Sequence, residues 1–346
     1  MTTIVFEVPA GAIADKYSRR NLLVLANCLR GTGFIFWLVG GSFLMYAIGF
    51  VLWGLRNVLT SGTLEAFLYD ELKSENQQHL YEKVSGKLNG HRFFGGALSA
   101  VLGGIVAQYS FPLAILGSVA TSFLSAWVLL FIRDVKQTWS TEETQYFQIL
   151  KNAFFQAKSN KYYLLIVAFI CIIFGVYGAT DEYWALIFHD YGLTVSSIGI
   201  ITAIIYGLTS LAGYTTYMFR NVRWKNLELV LLSVSGLLFV ITGLFKTIVL
   251  LPILFLGIYF IRVAEIQLEA KMQHQIRSHE RATMTSMKSL VFELVYVAII
   301  LLYGLTAKIS GITFLATVSG IIIVMSTVVF YFFSKIIGSS LTHSRP

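Results

Sequence analysis

Gly11-Ala12-Ile13-Ala14-Asp15-Lys16-Tyr17-Ser18-Arg19-Arg20 packs four charges into six residues, between an apolar run that ends at Ala14 and another that opens at Leu22. Charges so placed do not enter hydrocarbon, and they mark the surface where two membrane-length runs meet water. On the N-terminal side, Met1 to Ala14 would reach only about 21 Å as a helix, and it contains Glu7 and Pro9. It reads as half a span. It lacks a basic start and leads into Asp15 rather than a small-residue cleavage site, so it is not a signal peptide. The natural chain is expected to begin upstream, with the missing half-span pointing outward.

Working outward, the whole chain repeats this pattern. Of its 346 residues 56% are hydrophobic and 13% charged, against about 25% charged in an ordinary soluble domain. A soluble enzyme is excluded. Apolar runs start near residues 1, 21, 43, 92, 111, 162, 193, 227, 247, 284 and 311, which makes about eleven transmembrane helices. All but the first reach the roughly 20 residues that one helical crossing requires. The net charge of +8 is spread between these runs, so it reads as membrane topology rather than nucleic-acid binding. Cys28 and Cys171 both lie inside apolar runs and encode neither a disulfide framework nor a thiolate metal site.

Orientation follows from the basic residues. Alternate inter-run segments hold 21 of the 26 Lys and Arg, and the opposite side has Lys246 and Lys308, so the rich side is expected in the cytoplasm. The longest polar segment divides the chain into an N-terminal helical bundle, 1–132, a cytoplasmic linker, 133–161, and a C-terminal six-helix bundle, 162–346. Two short matches suggest related halves. Arg20-Asn21-Leu22 opens one run and Lys225-Asn226-Leu227 another, while Leu64-Glu65-Ala66 recurs as Leu268-Glu269-Ala270. Parallel repeats of this kind build many transporters.

The segment Gly11 to Arg20 resembles the signature that major facilitator superfamily proteins carry between their second and third helices: Gly, three residues, Asp, a basic residue, any residue, Gly, Arg, a basic residue. Five of the six defined positions match, and Ser18 stands where the family has its second Gly. With one helix absent at the front, five plus six runs become the family's six plus six. The run from Ser61 to Asp70 is similar to bacterial drug-efflux-type members. The resemblance implies an all-α integral membrane fold of two helical bundles that alternate between inward-open and outward-open states. It also implies a cytoplasmic gate made from Gly11, Asp15, Lys16, Arg19, Arg20 and Asp70. Asp15 would also face the start of a late helix near Ala282 to Ser286.

Ionisable groups within the runs are the next signal, because each costs about 2.5–3.5 kcal/mol even on insertion scales. Glu7, Arg30, Arg56, Glu65, Arg262, Glu265 and Glu293 all fall at such depths, and Asp181 and Glu182 near the outer end of one run. Two readings stand for the carboxylates. They line a cavity and couple protonation to substrate binding, with Glu293 and Glu265 leading, or they form fixed Arg–Glu pairs between helices. Arg262 and Glu265 are three apart and can meet on one helix, whereas Arg56 and Glu65 are nine apart and need other partners.

Gly96, Ala100, Gly104 and Gly199, Ala203, Gly207 repeat small residues at four-residue spacing, which lets helix backbones approach closely. The family places these two helices facing each other, so they could be the rocking seam or static packing. Trp53 and Trp184 are candidates to stack on a flat or cationic substrate. Gly90 to Gly104 contains no proline, unlike the Gly-Pro pair that proton-driven antiporters of the superfamily often carry, and Arg56 precedes Gly62 by six residues rather than four. The six histidines show no zinc spacing, and there is no phosphate-loop motif.

The expectation is a monomeric, multi-pass plasma-membrane protein that needs no cofactor, binds no nucleic acid and is not an enzyme. The resemblance makes it a secondary transporter for a small-molecule substrate, with proton-coupled export of small lipophilic compounds as the leading reading. Uptake of a nutrient or metabolite is the alternative within transport. A non-transporting membrane sensor, assembly partner or decayed fragment is the alternative outside it.

Overall fold

The computed structural model describes residues 18–60, 63–132, 161–221, 226–273, 275 and 281–342. These residues form eleven α-helices and, among the described residues, no strand. In chain order they are α1 Arg19–Val39, α2 Phe43–Thr60, α3 Thr63–Ser74, α4 Tyr81–Tyr109, α5 Phe111–Leu130, α6 Lys161–Asp190, α7 Val195–Thr215, α8 Leu227–Phe245, α9 Leu251–Gln273, α10 Arg281–Ser310 and α11 Phe314–Thr342. An all-α membrane fold is therefore what the chain adopts. Nine helical stretches among the described residues are long and apolar enough to cross a bilayer.

Two expected spans come out differently. The run near residue 92 becomes α4, which at 29 residues is long enough. Its first turns hold Lys83, Lys87, His91 and Arg92, so polar residues dilute its apolar stretch. The run from Phe43 to Asp70, expected as one span, is described as α2 and α3, with residues 61 and 62 outside the described residues. α2 ends at Thr60, whose hydroxyl donates back to the carbonyls of Arg56 and Asn57, and α3 resumes at Thr63. The expected first run, 1–14, lies outside the described residues.

Local chemistry fixes the ends. Ser18, where the family has Gly, is the N-cap of α1 and its side chain accepts from the Asn21 N–H at 3.2 Å. The departure exchanges a permissive turn for a cap worth about 1 kcal/mol. Gly40 and Gly41 then turn the chain toward α2 with φ of +55° and +82°, a region that side chains resist. Ser110 serves two helices, donating its N–H to the Val106 carbonyl of α4 and accepting from the Leu113 N–H of α5. The two matched triplets both sit at helix starts, but not in register: Asn21 is the third residue of α1 and Asn226 precedes α8.

The chain divides into two compact units, one of Met1–Thr144 with Val195–Ile200, the other of Gln145–Thr194 with Ile201–Pro346. In the first, α1 packs on α2, α3 and α5. Glycines set the approach, because a Cβ on Gly33 would stand 3.1 Å from the Gly49 carbonyl oxygen and one on Gly31 2.7 Å from the Phe123 ring. In the second, α6 packs on α9, α10 and α11, and α8 packs on α9 and α11. Gly236 and Gly320 bring α8 and α11 into backbone contact, where a Cβ on Gly236 would lie 2.8 Å from the Gly320 carbonyl oxygen. The core of this unit also holds hydroxyls: Thr180 and Tyr303 lie 2.7 and 2.6 Å from Ser319 Oγ, all three buried. The outer helix faces leave Phe43, Tyr109 and Ile309 more than four-fifths exposed. Such bands of large apolar side chains suit lipid rather than water.

Candidate functional site

In the second unit the ionisable residues of two helices converge. Tyr177, Asp181 and Trp184 follow at i, i+4 and i+7 on α6, and so share one face of it. On α9, Arg262 donates from Nη1 to Glu265 Oε2 at 2.7 Å, the i, i+3 pair that the spacing allowed. The guanidinium carbon also lies 4.4 Å from the centroid of the Tyr177 ring. Tyr177 is 2% exposed, and its hydroxyl and Arg262 Nε are buried without a hydrogen-bond partner. The charge of Asp181 also bears on Arg262. One guanidinium thus meets a carboxylate of its own helix and an aromatic ring of α6. Tyr177, which no sequence signal singled out, supplies the surface that orients it.

Nearby, Tyr296 of α10 donates its hydroxyl to Glu182 Oε1 at 3.2 Å. Glu293, one turn earlier on α10, is half-buried and forms no ion pair among the described residues. Two further ion pairs bind the ends of helices in this unit. Lys271 of α9 reaches Glu228 of α8 at 2.6 Å, and Lys288 of α10 contacts Glu269 of α9.

The first unit has a cationic and aromatic site instead. Arg30, Phe34 and Trp37 lie along one face of α1, and Trp53 and Arg56 one turn apart on α2. The Arg30 guanidinium carbon is 5.6 Å from the Phe34 centroid and 5.4 Å from the Trp53 centroid, while Trp37 and Trp53 stack at 5.7 Å. Trp37 Nε1 donates to the Tyr46 carbonyl at 3.2 Å. Arg56 donates to Asn57 Oδ1 at 2.8 Å. Neither arginine meets a carboxylate among the described residues. Asn57 is the partner of Arg56 that sequence spacing left unnamed.

The remaining expected site residues fall elsewhere. Glu7, Gly11, Asp15 and Lys16 lie outside the described residues, and Glu65 and Asp70 belong to α3. Arg19 opens α1. Arg20 donates to the Ile132 carbonyl at 3.2 Å and to Asn21 Oδ1 at 3.3 Å. Trp184 is 4% exposed and packs against Phe188 and Phe239, each 5.6 Å away. Trp53 is half-buried and keeps its stacking role open. Among the described residues no group of His, Cys, Asp and Glu could hold a metal ion.

Solved structures share this architecture. The nucleoside transporter NupG aligns with a TM-score of 0.80 at 12% identity, over 95% of this chain and 87% of that one. A D-xylose–proton symporter gives 0.74 at 12% identity, over 95% and 84%. A peptide transporter, POT, gives 0.72 at 11%, over 98% and 84%. At these identities the likeness is one of fold. In sequence, the chain is 25% identical over 246 residues to an uncharacterized MFS-type transporter, YxaM, of Bacillus subtilis (strain 168). The match covers 70% of this chain and 61% of that protein, so the chain spans about three fifths of the curated relative's length. The family model of the Major Facilitator Superfamily matches residues 1–297. With membrane-length helices, the charged segment at Asp15 to Arg20 and this match over most of its length, the chain belongs to the major facilitator superfamily.

Proposed function

We propose that this chain is a secondary transporter of the plasma membrane that exports small lipophilic compounds in exchange for protons, by alternating access. The observation that carries this reading is the Arg262–Glu265 pair set against Tyr177, with Asp181 one turn beyond Tyr177 on the same face of α6. A proton arriving on Glu265 discharges it and releases Arg262, while Asp181 still offers the cation a counter-charge. Protonation then changes the charge of the site without leaving an isolated cation in a medium where that is costly. Glu293, half-buried and without an ion-pair partner among the described residues, is the second proton acceptor in this proposal. Asp15, Arg19 and Asp70 form the cytoplasmic latch in the same reading, supported for Asp15 and Arg19 by their match to the family signature and for Asp70 by its place at the close of the run from Ser61.

The test is flux in proteoliposomes of known orientation under an imposed pH gradient, with lipophilic dyes as substrates. Export predicts that an acid interior in inverted vesicles drives accumulation, and that Glu265→Gln removes the dependence on the gradient. Gradient-dependent transport at the wild-type level in that variant would overturn the role of Glu265. Accumulation driven instead by an acid exterior would mean that protons and substrate move together, the direction of coupled uptake.

A further inference from the structure

We infer that α1 and α2 form an anion subsite, so that the transported compounds carry a carboxylate or comparable negative group on a flat apolar body. This rests on the transporter reading above. The geometry comes first. A guanidinium stacked on an aromatic ring turns its in-plane N–H groups away from that ring. Arg30 lies over both Phe34 and Trp53, and its Nε is buried with no hydrogen-bond partner. Arg56, one turn along from Trp53, also has a buried Nε without a partner, although Nη1 is held by Asn57. The Arg30 guanidinium therefore borders the aromatic surface, and Arg56 follows one helical turn after Trp53 on α2.

Charge points the same way. The charges that bear on Arg56 are those of Arg30 and Arg92, both positive. The second unit matches its arginine with a carboxylate at 2.7 Å, whereas the first gathers cations within membrane-length helices that meet none among the described residues. An anion entering this site would find donors held in place and an excess of positive charge, and it can accept in bidentate fashion from a guanidinium. The stacked Trp37 and Trp53, both half-buried, offer the face on which its apolar part would rest. A neutral compound of the same shape would find the same rings and no match for the guanidinium edges.

The experiment is equilibrium binding, by isothermal titration calorimetry, to the full chain in phosphatidylcholine nanodiscs with no pH gradient. The probes are 4-nitrobenzoate, its neutral counterpart 4-nitrobenzamide, and acetate. Saturable binding of 4-nitrobenzoate at least about tenfold tighter than either other probe is expected. Arg30→Gln and Arg56→Gln should each remove most of that preference, and Arg30→Lys should retain part of it. Equal affinity for benzoate and benzamide, or no saturable binding of any probe, overturns the proposal using the wild type alone, whether or not the variants fold. Loss of benzoate binding when phosphatidylglycerol replaces part of the lipid also overturns it, because the site would then belong to lipid headgroups. Without a gradient, failure of the proton-coupling reading leaves this result untouched, and failure of anion preference leaves the gradient assay untouched.

Discussion

A Cβ placed on Gly104 would stand 2.9 Å from the Cα of Gly199, so α4 and the first turns of α7 meet backbone to backbone. The contact is reinforced by polar groups: Ser196 N–H donates to Gln108 Oε1 at 3.3 Å and Ser196 Oγ donates to the Gly104 carbonyl at 3.4 Å. Small residues permit this approach, and side-chain volume there has no space to occupy.

Gly199→Leu should therefore destabilise the protein by about 1–3 kcal/mol, the usual cost of overpacking. Gly207, where a Cβ would meet nothing within 4 Å, is the matched control. Thermal unfolding in detergent should show a clear fall in Tm for Gly199→Leu and almost none for Gly207→Ala. Equal shifts would mean that the contact does not constrain the fold.

Lys271 is paired with Glu228, which is 4% exposed. Removing only the cation strands a buried carboxylate, but Lys271 is 45% exposed, so the cost falls below the figure of about 3–5 kcal/mol for a fully buried pair. Lys271→Met should lower Tm, and the added Glu228→Gln change should restore part of the loss. An additive double variant would show that the two side chains do not interact energetically.

Tyr303 and Thr180 both approach Ser319 within a buried network that joins α6, α10 and α11. Tyr303→Phe deletes one partner and should cost about 1 kcal/mol, with Ser319→Ala costing more because it leaves the Tyr303 hydroxyl buried and unpaired, while Thr180 keeps its bond to the Val176 carbonyl. Chemical denaturation in mixed micelles reads both values. The reverse order would argue that ordered water already serves Tyr303.

Trp37 fills the space beside Gly49, and a Cβ on Gly49 would collide with its indole nitrogen. Gly49→Val should displace Trp37 from Trp53 and shift the tryptophan emission maximum, with weaker binding of 4-nitrobenzoate. An unchanged spectrum would show that the indole stack does not depend on this close approach.

Much of the candidate site is legible without the fold. Arg262 and Glu265 are three residues apart, and helical periodicity alone brings such residues together. Trp53 and Arg30 each stand out as unusual residues, but nothing in their spacing says that one lies over the other. Trp184 illustrates the converse. Its place near a span end suits an exposed ring, yet the rotation of α6 in its unit turns it onto Phe239 of α8.

An all-helical membrane fold, the places where most spans end and the family signature at Asp15 to Arg20 all follow from the order of residues alone. These are local properties: run length against hydrocarbon thickness, charge at the water boundary and residue types in succession. Folding was needed to bring Lys271 to Glu228 across 43 positions, to lay Arg262 over Tyr177 and to set Gly104 against Gly199. Such meetings depend on how far each helix is rotated about its axis and where its neighbour crosses it. Those two quantities are set by packing of the whole unit, and no single stretch of residues encodes them.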